Sequence, residues 1–174
     1  MAGIDRFTQR ARRVLSLAHQ EADKNQDAMI GTEHILIGLL LVDGSTAGKV
    51  LYDLDLKVDV VREVISKMEK KTESEADSAS DPAKDEMLSD EVQDILRRAV
   101  IEATRNGQVY VSTEHLLLAL IDTKDSAAVA VLRRLGISPE QIRKQLKRVM
   151  EEGNVQPDAK SDPARTRSER KPKT

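Results

Sequence analysis

Thr32-Glu33-His34-Ile35-Leu36 returns as Thr113-Glu114-His115-Leu116-Leu117, 81 residues further along the chain. At that single offset residues 7–70 lie over 88–151 without a gap and share 16 of 64 positions, among them Leu15/Leu96, Ala18/Ala99, Asn25/Asn106, Leu51/Leu132 and Leu54/Leu135. Many of the remaining positions exchange one aliphatic side chain for another. Spacing preserved in this way implies one supersecondary unit built twice, so a surface formed by one half has a counterpart on the other.

Outward from the motif, the period of each unit is helical. Phe7, Ala11, Val14, Leu15, Ala18 and Ala22 recur every three or four residues, and Leu88, Val92, Ile95, Leu96, Ala99 and Ala103 repeat the stripe. Asn25 and Asn106 stop these first helices, and short links lead into Ile30 and Val111. A second helix is predicted from Thr32 or Thr113, with the hydroxyl capping free N–H groups and Glu33 or Glu114 at the positive end of the helix dipole. Third helices follow from Ser45 and Ser126 to about Leu54 and Leu135, with Gly136 as a stop. The fourth begin near Val58 and at Ser138-Pro139-Glu140-Gln141, where a capping hydroxyl, a proline in the first turn and a Gln placed to reach back coincide. Neither unit has enough apolar surface to stand alone. The expected fold is therefore all-α: two four-helix repeats, residues 1–70 and 87–152, packed about a pseudo-two-fold axis as one domain.

Residues 71–86 read as a flexible acidic linker, and the stretch 69–86 carries seven acidic against three basic side chains. Residues 153–174 read as a disordered basic tail, with six Lys or Arg against three acids from Pro157 onward. That tail has no aromatic residues on which bases could stack.

Composition excludes several classes of function. With 174 residues, a net charge of -2 and 33% charged side chains, the chain carries no global basic field for nucleic acid. Two Tyr, one Phe and no Trp leave the core to Leu, Ile, Val, Ala and Met. No apolar run reaches the roughly 20 residues needed to cross a bilayer, and the first residues lack the apolar stretch of a secretory signal. The lack of Cys removes disulfides, thiolate catalysis and thiolate metal sites. These features predict a cytoplasmic protein without membrane or specific nucleic-acid partners. Gly-x-x-x-x-Gly-Lys-Ser/Thr is missing, so there is no phosphate cradle for a nucleotide. His34 and His115 stand beside Glu33 and Glu114, but no nucleophile accompanies either pair, and a third histidine, His19, is unmatched in the second copy. No catalytic residue, metal or cofactor is expected, and structural hydrogen bonds are the expected task of the imidazoles. A hydrolase using the Glu-His pairs is the alternative from another class.

Ile30-Gly31-Thr32-Glu33-His34-Ile35-Leu36-Ile37-Gly38-Leu39 resembles the signature of the Clp chaperone N-terminal domain, ClpC in particular. The second copy, the opening Phe7-Thr8-Gln9-Arg10-Ala11, and Ala128, Val131-Leu132 and Leu135-Gly136-Ile137 resemble it too, over about residues 4–152. The resemblance implies a non-catalytic module that receives substrates and adaptor proteins for Clp ATPase and peptidase components. It also implies either a stand-alone N-domain protein or the receptor end of a longer one.

By position in the family motif, Thr32, Glu33, Thr113 and Glu114 are the implied ligand residues, with the two Glu binding phosphorylated arginine. The chemistry suits them: a carboxylate accepts from a guanidinium fork while a helix N-terminus holds the phosphate. Docking on the Clp ring or peptidase without phosphoarginine is the rival reading. The family's Arg-Glu-Gly-Glu-Gly loop is replaced by Leu41-Val42-Asp43-Gly44-Ser45 and Asp122-Thr123-Lys124-Asp125-Ser126, and Gly31 faces Ser112. Two related sites of unequal strength are therefore expected, the first closer to the family pattern.

Overall fold

A computed structural model describes residues 4–27, 29–72 and 87–152. The expected tail 153–174 and all of the expected linker except Lys71 and Thr72 lie outside the described residues. A 3-10 turn, Ile4–Arg6, precedes α1 (Gln9–Lys24), α2 (Thr32–Leu41), α3 (Thr46–Asp53) and α4 (Val58–Thr72). The second repeat supplies α5 (Asp90–Arg105), α6 (Thr113–Asp122), α7 (Ala127–Arg134) and α8 (Pro139–Glu152). The fold class read from the sequence is the observed one.

Local chemistry accounts for most of the boundaries. Thr8, Ser45, Ser89 and Ser126 accept from Ala11, Gly48, Val92 and Val129 N–H at 2.9–3.2 Å, capping α1, α3, α5 and α7. At α8, Gln141 Oε1 accepts from Ser138 N–H at 2.8 Å and Ser138 Oγ accepts from Gln141 N–H at 3.2 Å, the reciprocal cap expected there. The first and third helices all end in the same turn. Gly107 N–H donates to Thr104 O at 3.0 Å and Gln108 N–H to Ala103 O at 2.8 Å, and the same pair of bonds recurs at Gly136/Ile137, Gln26/Asp27 and Asp55/Leu56. This turn needs a left-handed residue, which is Gly107 (φ 73°) and Gly136 (φ 79°) in one repeat but Gln26 (φ 61°) and Asp55 (φ 62°) in the other. Asn25 and Asn106 are the residues just before it, not the left-handed residues themselves.

α2 and α6 form the centre. From His34 to Leu39, α2 is buried on every side, as Leu116, Leu117, Leu120 and Ile121 are in α6. Around this pair the two repeats exchange contacts. α2 packs on α7 and α3 on α6, while α3 meets α8 and α4 meets α7, so the outer helices of each repeat grip the third helix of the other.

The exchange extends to two backbone pairings: Ile30 and Val111 come from segments read as links, whereas their partners Leu88 and Phe7, read as the first members of the helical stripes, lie ahead of α5 and α1 and pair as strand instead. β1 (Met29–Ile30) runs parallel to β2 (Met87–Leu88), with Ser89 N–H donating to Ile30 O at 3.0 Å. Phe7 pairs with Val111 in the equivalent place, with Thr8 N–H on Val111 O at 2.9 Å and Val111 N–H on Arg6 O at 2.7 Å. Each repeat thus clasps the segment ahead of the other repeat's central helix.

Candidate functional site

Gly31 and Ser112 are the cap residues of α2 and α6, both in extended conformation, and Thr32 and Thr113 are the first helical residues. This corrects the expected role of the two threonines. Neither hydroxyl caps its own helix at the cap position. Thr32 Oγ1 accepts from Ala128 N–H of α7 at 3.0 Å, and Thr113 Oγ1 accepts from Ala47 N–H of α3 at 3.3 Å. Thr32 is 1% and Thr113 0% exposed, so both are fixed inside the contact between repeats. The motif therefore joins two helix starts at each of two places: α2 with α7 at the first, α6 with α3 at the second.

The cap that the threonines do not supply comes from the histidines. His34 Nδ1 accepts from Gly31 N–H at 2.8 Å, which puts the ring proton on Nε2, 2.8 Å from Asp27 Oδ2. His115 Nδ1 lies 2.9 Å from Ser112 N–H and 3.1 Å from Ser112 Oγ. These are the structural hydrogen bonds expected of the imidazoles, and they fix the helix starts on which the two carboxylates ride. Glu33 is partly exposed, and its Oε1 lies over Gly31, 2.5 Å from where a Cβ would stand. Glu114 is only 5% exposed. Both acids occupy the first turn, where the helix dipole favours negative charge. At each motif a first-turn carboxylate thus follows the threonine that joins two helix N-termini from different repeats. Among the described residues no cluster of His, Asp and Glu is placed to hold a metal ion. No single helix among them is long and apolar enough to cross a membrane.

Sequence reasoning missed Ala47, Ala128 and Asp27. The first two act through backbone N–H groups 66 and 96 residues from their threonines, which leaves no local signal. Asp27 faces Gln108 in the repeat alignment, so comparing the copies does not single it out.

Residues 6–86 and 87–171 each match the Clp repeat (R) N-terminal domain family. A probable ATP-dependent Clp protease ATP-binding subunit of Chlamydia pneumoniae is 34% identical over 88% of the chain, which spans 18% of that protein's length. The negative regulator of genetic competence ClpC/MecB of Bacillus subtilis is 34% identical over 81% of the chain, which spans 16% of it. Among solved structures, the N-terminal domain of ClpD from Arabidopsis thaliana superposes with a TM-score of 0.63 at 23% identity, covering 84% of this chain and 98% of that one. A ClpV N-domain in complex with a VipB peptide gives a TM-score of 0.59 at 20% identity, over 83% and 89% of the two chains. With both repeats matched and the fold laid out as two interlocked four-helix units, the protein belongs to the Clp repeat (R) N-terminal domain family.

Proposed function

We propose that the chain is a non-catalytic recognition module of a Clp ATP-dependent chaperone-protease system, receiving adaptor or substrate proteins and binding phosphoarginine-marked chains at its paired helix starts. The observation that carries this reading is the meeting of two helix N-termini from different repeats at each Thr-Glu-His motif, with a carboxylate in the first turn. The guanidinium of phosphoarginine would donate to the Glu33 or Glu114 carboxylate, and its phosphate would lie at the positive dipole ends beside it. Thr32 and Thr113 belong to this site as the residues that hold its two helices together. The complex of a ClpV N-domain with a VipB peptide gives a precedent within the fold for receiving a peptide.

Calorimetric titration with free phosphoarginine tests the assignment. Heat is expected for the intact protein and its loss for the Glu33→Ala, Glu114→Ala double variant; binding that survives in the variant removes the assigned pocket. A second reading, docking on the Clp ring or peptidase without phosphoarginine, is favoured by the burial of Glu114. Co-purification with a Clp ATPase or peptidase from a chain that gives no heat with phosphoarginine would select it. A hydrolase using the Glu-His pairs would lose activity on replacing His34 and His115 by Gln, and no activity is expected to be there to lose.

A further inference from the structure

We infer that the two helix-start sites are not equivalent and that only the first is open: the side chains of Ser112 and Thr46 close the second, leaving one ligand position per chain. The inference rests on the reading of Glu33 and Glu114 as ligand carboxylates.

Two differences at matched positions point the same way. At the first site Glu33 lies over Gly31, in the volume that a Cβ would need, since that Cβ would stand 2.5 Å from Oε1 and 3.2 Å from the carboxyl carbon. At the second site this volume belongs to Ser112, which is 1% exposed with its Oγ 3.1 Å from His115 Nδ1. Glu114 therefore cannot lie over its cap residue as Glu33 does, and it is buried. The partner helix start differs in the same sense: α7 opens with Ala127 beside the first site, whereas α3 opens with Thr46, 4% exposed, beside the second.

Two measurements on the full chain test this. Titration with free phosphoarginine should give one molecule bound per chain, lost in Glu33→Ala and kept in Glu114→Ala. Two equal sites, or equal losses from the two variants, would overturn the inference. The second measurement needs no ligand: carbodiimide coupling of carboxyl groups, followed by peptide mass mapping. Glu33 should react faster than Glu114, and Ser112→Gly with Thr46→Ala should bring Glu114 up to the rate of Glu33. Equal rates in the unaltered protein would be decisive against it. Gly31→Ser serves as the reverse variant, expected to displace the Glu33 carboxyl and change its coupling rate, with circular dichroism checking that each variant keeps its helix. If phosphoarginine gives no heat while the coupling contrast holds, the ligand assignment fails and the closure of the second site stands.

Discussion

Gly38 lies where α2 comes nearest to α1. A Cβ at this position would stand 2.6 Å from the Val14 carbonyl oxygen and 3.1 Å from Val14 Cγ1, and backbone cannot give way as a side-chain tip can. In the second repeat the matched residue is Ala119, 3% exposed, so α5 and α6 accommodate the methyl that α1 and α2 exclude. Helix propensity favours Ala over Gly by about 1 kcal/mol, but forced overpacking costs about 1–3 kcal/mol. Gly38→Ala is accordingly expected to lower stability in urea unfolding, and a stabilised variant would mean that the helices separate freely. In the sequence, Gly38 over Ala119 looks like an ordinary small-residue exchange, because the distance between two helix axes is not written in either helix. The left-handed turns were half legible: Gly136 announces its turn, whereas Asp55 and Gln26 adopt the same backbone without a glycine to mark it.

Between elements, the cross-repeat caps and one buried ion pair carry the argument. Thr32→Val keeps the shape of the side chain but leaves the Ala128 N–H of α7 buried without its oxygen, at a cost of about 1–3 kcal/mol for an unsatisfied group. The expected loss, measured by thermal or urea unfolding, should be approached by Thr113→Val, whose bond to Ala47 is longer. An unchanged midpoint would show that water replaces the hydroxyl. Glu21 of α1 is 4% exposed and accepts from Arg62 Nε and Nη2 of α4, each at 3.0 Å. Burial pushes its carboxyl up, but the Arg62 hydrogen bonds and charge, aided by Lys24, outweigh it and hold the group below its ordinary value. Glu21 therefore binds protons less readily folded than unfolded. Its stabilising contribution is complete above pH 4.5, the ordinary value, and is lost as pH falls through the depressed folded one. Glu21→Gln should be less stable than the parent at neutral pH and show a shallower fall in stability below pH 4.5; parallel acid titrations of the two proteins would contradict the pairing. Helix existence was legible, as were the starts at Ser45, Ser126 and Ser138, whereas the Thr8 and Ser89 caps were not singled out and the cap position of α2 and α6 was read one residue late. The Thr-to-Ala bonds and the Arg62 partner of Glu21 were not legible, because each links residues that only the packing brings together.

For the molecule as a whole, the consequence of interlocking is that neither repeat owns its surroundings. Residues 4–72 lack the helices α6, α7 and α8 on which α2, α3 and α4 pack, and residues 87–152 lack the reciprocal set. Each piece alone is expected to show little cooperative unfolding by circular dichroism, with helix returning when the two are mixed. A sharp melting transition from either piece would refute this. Duplication and the need for mutual burial could be read from the 81-residue offset. The exchange of outer helices and the parallel clasps could not, since an offset states that two units are alike without saying which helix of one touches which of the other.

The clasp between Phe7 and Val111 also bears on how the chain is expected to reach this state. Helical proteins usually fold fast because their contacts are local, yet here the bond from Thr8 N–H to Val111 O joins residues from opposite repeats. Closing so long a loop must precede the contacts that reward it, although each doubling of loop length adds only about 0.6 kcal/mol. Folding is thus expected to be slower than for a helical protein of local contacts, with the search for the partner repeat slowed only slightly by lengthening the segment between repeats.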